Sequence, residues 1–179
     1  MHQKNNATQR HKTQSQQKQN EKPDRALRVP EHDDLHKNVA LLLQAGSPEK
    51  ALQLISKSKI KSAWVKNATG VCQLRLGNAQ VAIDIYRSFL TDGGIFLRAD
   101  APVVFKINFA VALLLNENLP GFYSVLSELR AEEHPTVQKL RAAVKAWNKK
   151  LTLWQKLKLV CGNHPNVPIE LGFSPGDLE

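Results

Sequence analysis

Two breaks in helical patterning constrain this chain more than any other feature. Residues 74–90, LRLGNAQVAIDIYRSFL, carry apolar side chains at helical spacing, stop at Gly77-Asn78 and restart at once. Gly46-Ser47-Pro48 makes the same kind of stop 31 residues earlier, and Ala51 precedes Ala82 by the same 31. Glycine closes a helix in a backbone conformation that side-chain-bearing residues resist, and Ser-Pro or Asn can open the next helix. A turn and a small residue recurring together at one interval mark stacked helical hairpins. Each hairpin alone leaves an apolar face that only a neighbour can cover.

The pattern extends in both directions. Asp33-Asp34 sets a helix start, followed by Leu35, Val39, Leu42 and Leu43 up to Gly46; Ala51, Leu52, Leu54 and Ile55 form its partner, capped by Ser47. Ser62–Leu76 and a helix capped by Asn78 and running to Leu90 make the second pair. In the third, a helix from Asp100-Ala101-Pro102 to Leu115 precedes a partner over Phe122–Arg130. Its turn is Asn116–Pro120, with Asn118 near the place of the turn glycine, about 41 residues after Gly77, because an Asp92-Gly93-Gly94 loop intervenes. Pro135 opens a last helix whose Val137, Leu140, Val144, Trp147, Leu151 and Trp154 form one stripe. That stripe predicts a capping helix with both tryptophans buried; a coiled coil is the lesser alternative. The expectation is an all-α domain over residues 31–160 with no sheet in 33–160, and a strand pair within that span would make the repeat reading wrong. Residues 1–30, rich in Gln and Lys, predict a disordered basic tail, and 161–179, punctuated by Pro and Gly, an extended tail.

Basic charge is uneven. The net charge is +9, with seven Lys/Arg against three acids in residues 1–32 and seven against none in 136–160. Lys139, Arg141, Lys145, Lys149 and Lys150 on the last helix are therefore candidates to bind phosphate on an anionic partner. Cys72 and Cys161 lie far apart in apolar patterns and predict two buried thiols in a reducing compartment, with a single disulfide as the alternative. No apolar run spans a bilayer and no apolar secretory segment opens the chain, so the expectation is a cytoplasmic protein that does not engage membranes.

Residues 63–90 resemble a tetratricopeptide repeat (TPR), with Gly70 in the middle of the first helix, Gly77 at the turn, Ala82 early in the second helix and Tyr86 four residues later. Residues 33–57 match through Gly46 and Ala51, and 102–130 in outline; the alternative is an irregular helical bundle. The resemblance implies a short right-handed solenoid of about three hairpins plus the capping helix. It also implies a concave groove lined by first helices that holds a peptide or protein segment. Aligned by their turns, those helices place His36, Asn67 and Asn108 together, with Asp33, Trp64 and Phe105 three residues earlier. These six are the candidate groove residues, amides for a peptide backbone and aromatics for an apolar side chain. The family's lysine clamp for C-terminal carboxylates is not reproduced, since Ala68 and Phe109 stand at the equivalents of Lys37. No phosphate loop, dinucleotide fingerprint, zinc motif or nucleophile elbow occurs. The reading is a non-enzymatic protein-interaction module without metal or cofactor, of unspecified oligomeric state. The alternative is an RNA- or ribonucleoprotein-associated accessory protein using the basic tail and the basic helix 136–160.

Overall fold

The computed structural model describes residues 28–93, 96–161, 165 and 167–178. Eight α-helices occur among them: α1 (Arg28–Gln44), α2 (Pro48–Lys57), α3 (Ala63–Arg75), α4 (Ala79–Leu90), α5 (Val103–Leu115), α6 (Leu119–Leu129), α7 (Pro135–Lys150) and α8 (Leu153–Val160). The chain divides into two compact units at Asp34–Leu35. The described part of the first is the opening of α1, and the second holds everything that follows. The expected disordered tail, residues 1–30, lies outside the described residues up to 27. Its last residues are helical instead: α1 begins at Arg28, ahead of the expected Asp33-Asp34 start, because Pro30 falls in a first turn, where a missing N–H costs nothing.

Three turns share one geometry. The N–H groups of Gly46, Gly77 and Glu117 bond the carbonyls of Leu43, Leu74 and Leu114, and those of Ser47, Asn78 and Asn118 bond the carbonyls of Leu42, Gln73 and Leu113. This paired closure needs a left-handed residue, supplied at φ 67° by Gly46, 79° by Gly77 and 58° by Glu117. Asn118 is thus not the turn residue; it caps α6, its side chain accepting from the N–H of Gly121, and α6 starts at Leu119 and not at Phe122. Ser47 and Asn78 stand at the N-cap positions of α2 and α4 without side-chain capping bonds.

Gly70 explains how α3 and α4 pack. A Cβ on it would lie 2.5 Å from Tyr86 Cζ, so the ring fills the space glycine leaves. Ala110 holds the corresponding place in α5 and is fully buried. One core cluster joins α4, α5, α6 and α7 through Ile83, Tyr86, Phe109, Leu113, Phe122 and Leu140; another joins α1, α2 and α3 through Val39, Leu43, Ala51, Ile55 and Val71.

Four expectations are corrected here. Thr91–Asp92 and Phe96–Leu97 pair as a two-residue antiparallel ribbon in the loop between α4 and α5, so 33–160 is not free of sheet, and the condition set against the repeat reading is met. The ribbon stays out of both clusters apart from half-buried Leu97, whose N–H is held by Glu128 Oε2 at 2.9 Å. The single last helix is two: the chain turns extended at Leu151 and restarts under a capping box formed by Thr152 and Gln155. Trp147 is buried, whereas Trp154 is 68% exposed beside Leu153, Leu157 and Val160 on a helix with no buried residue. Cys72 is buried as expected, but Cys161, just past α8, is exposed; both are free thiols.

Candidate functional site

Asn67, Val71 and Arg75 recur every four residues along α3 and so share one face. The segment 167–178 passes over that face. Three consecutive carbonyls of it are held: Pro175 by Arg75 Nε at 3.3 Å, Gly176 by Arg75 Nη2 at 3.1 Å, and Asp177 by Asn108 Nδ2 at 2.6 Å and Asn67 Nδ2 at 3.3 Å. The N–H of Asp177 donates back to Asn108 Oδ1 at 3.0 Å. One carboxamide therefore pairs with both backbone polar groups of one residue, Asp177, as a neighbouring strand would. The remaining guanidinium nitrogen donates to the carbonyl of Leu43 at 2.8 Å, near the end of α1.

The amides are set by the core beneath them. Asn67 is fully buried and Asn108 almost so. Buried amides demand partners, since each unmet donor or acceptor costs about 1–3 kcal/mol. Asn108 Nδ2 also donates to Asn67 Oδ1 at 2.9 Å, and the Tyr86 hydroxyl donates to the carbonyl of Asn67 at 3.3 Å and to its Oδ1 at 3.4 Å. Burial pushes the Tyr86 hydroxyl far above the ordinary phenol range, which keeps it a donor. The same ring that fills the Gly70 gap thus orients the amide pair.

Gly176 is sensed by type as closely as the apolar Ile169, Phe173 and Leu178, which pack against the cores. Its φ is +80°, and a Cβ there would sit 3.1 Å and 3.2 Å from the two Val71 methyls and 3.4 Å from Leu74. Beyond it, Leu178 borders a cleft of about 400 Å³ lined also by His36, Lys37, Leu43, Trp64 and Arg75. His36 and Trp64 stack there, ring centroids 3.5 Å apart and 18° from parallel. At the other end Trp147 Nε1 donates to the carbonyl of Val167 at 2.8 Å, Ile169 is buried, and Lys150 pairs with Glu170 at 2.9 Å.

Of the six expected groove residues, the structure brings Asn67 and Asn108 into direct contact and sets His36 against Trp64 at the far end of the segment. Phe105 lies elsewhere: it lines another cleft, about 530 Å³, with Lys66, Phe89, Arg98 and Asp100. Its ring packs edge-on to Phe89, so the grouping by turns does not hold for it. Asp33 is exposed on α1. Of the five candidate phosphate-binding residues, all exposed on α7, Lys139 lies over the Phe173 ring, Arg141 pairs with Glu132 at 3.1 Å and Lys150 with Glu170; Lys145 and Lys149 complete the set. Arg75 was not among the expected site residues, although its place eight residues after Asn67 put it on the same helix face.

A scan against protein-family models, a search of curated proteins and a search of solved structures each returned no match. No helix among the described residues is long and apolar enough to cross a membrane.

Proposed function

We propose that this chain is a non-enzymatic, cytoplasmic protein-interaction module of TPR-like design, whose first helices α1, α3 and α5 form a groove for an extended segment of another protein. One observation carries the reading: Asn67, Arg75 and Asn108 hold the backbone of residues 175–177 through five hydrogen bonds without using a single side chain of that segment. Side chains that satisfy backbone groups in this way serve any extended peptide, as strand-addition sites do. The repeated turn geometry and the Gly70–Tyr86 fit support stacked hairpins.

The test is a displayed library of extended peptides selected against the full chain and re-measured against Asn67→Ala/Asn108→Ala. Loss of two bonded amides should weaken selected peptides by at least about 10-fold while helical circular dichroism is kept. Binders indifferent to the double variant, but lost on neutralising Lys145 and Lys149 and falling steeply with salt, would replace the groove with phosphate binding.

A further inference from the structure

We infer that the groove's partner is an extended segment carrying glycine at the Gly176 position and a large apolar or aromatic residue two places later, and that residues 175–178 are the resident competitor it must displace. The inference rests on the peptide-groove reading above.

Three observations lead to it. The bonds to residues 175–177 run through backbone atoms, so a second peptide can take them over one for one, and water can hold Asn108 and Arg75 in the interval. Asp177 is exposed, so nothing reads that side chain. Gly176 differs: positive φ and the Val71 and Leu74 contacts at 3.1–3.4 Å exclude larger residues. Finally, Leu178 leaves a cleft of about 400 Å³ open beside the stacked His36 and Trp64 rings. A side chain that underfills its pocket forgoes contact energy that a larger one would gain. Residues 175–178 are therefore a moderate ligand, tethered through the core-packed Ile169 and its neighbours, and the tether acts as an effective concentration of order millimolar. A partner that fills the cleft overcomes that advantage.

The test uses the full chain and two release variants, Gly176→Val, which strains the seat, and Asp177→Pro, which removes the N–H given to Asn108. The probe is a fluorescent peptide of residues 174–178, followed by anisotropy, with release of 175–178 read by hydrogen exchange. Both variants should bind the probe about 10- to 100-fold more tightly than the unaltered chain, by removal of the tethered competitor. A peptide with Leu178→Phe should bind several-fold more tightly still, and one with Gly176→Val at least about 10-fold more weakly. Equal binding of the glycine and valine peptides overturns the inference and leaves the groove reading standing. If the released chain binds neither these peptides nor any of the displayed library, both fall. A segment that stays protected in both variants, or a chain that loses its helical signal in both, shows an integral part of the fold and overturns displacement.

Discussion

Gly70→Ala sets two well-measured tendencies against each other. In a mid-helix position the exchange ordinarily stabilises by about 1 kcal/mol, because glycine has more backbone freedom to lose. Here the added methyl would lie 2.5, 2.7 and 2.8 Å from Cζ, Oη and Cε2 of Tyr86, a fully buried ring whose retreat would have to push core neighbours. Overpacking of that kind costs about 1–3 kcal/mol. Displacing the ring also breaks the Tyr86 hydroxyl bonds to Asn67, another ~1 kcal/mol. The net expectation is destabilisation by about 2 kcal/mol, measured as a lower urea midpoint at unchanged slope. Tyr86→Leu, made alone and in combination, completes a double-mutant cycle in which Gly70→Ala should become neutral or stabilising. A variant more stable than the parent would refute the close approach of α3 and α4 at this point, and with it the reason the Asn67 amide is oriented.

The two tryptophans of the last helices should behave oppositely: Trp147→Ala should cost about 3–5 kcal/mol and Trp154→Ala less than about 0.5 kcal/mol, with acrylamide quenching lost only in the second. Gly77→Val should destabilise by about 1–2 kcal/mol from backbone strain alone, since nothing lies within 4 Å of its Cβ; an unchanged urea midpoint would place the turn residue elsewhere. A thiol reagent at pH 8 should modify Cys161 at once and Cys72 only on unfolding. Burial pushes the Cys72 thiol from 9.0 up to about 11, so the unfolded chain loses that proton first and stability should fall as pH rises from about 9 to 11. Cys72→Ala should flatten that alkaline decline, and an unaltered decline would assign it to other groups.

The first two hairpins were legible because their turns use glycine, the residue that left-handed backbone selects. The third turn uses Glu117 at φ 58°, which no composition rule marks, and the eye settles on Asn118 instead. Hence the register of α5 slipped by one: the turns of α3 and α5 are 40 residues apart, whereas Asn67 and Asn108 are 41 apart. The two amides bond nonetheless, because contact across neighbouring helices depends on their packing and not on equal rank within a repeat. The break at Leu151-Thr152 was hidden for a related reason. Apolar spacing carries on through it from Trp147 to Trp154, and only the Thr152-x-x-Gln155 cap betrays a new start.

What the sequence concealed most fully was the segment that lies over α3. Extended chain leaves no periodic trace, and the contacts that seat residues 175–177 go to atoms every residue possesses. Arg75 was overlooked on similar grounds, since a cation in a helix's last turn is already explained by the helix dipole. Only Gly176 combines a signature visible in sequence with a role visible in structure. A Pro-Gly step in a polar tail reads as a turn, yet here the glycine serves a close approach to Val71 while its neighbours' carbonyls reach Arg75 and the two amides. If the turn were its whole purpose, alanine at 176 would matter little to where the segment lies. Because the approach is the constraint, Gly176→Ala should loosen the segment, through φ strain and a methyl 3.1 Å from Val71, while the hairpins remain intact. Hydrogen exchange at Asp177 and Leu178 against that of α3 separates the two: faster exchange confined to the segment is expected, and no change would return Gly176 to the role of an ordinary turn residue.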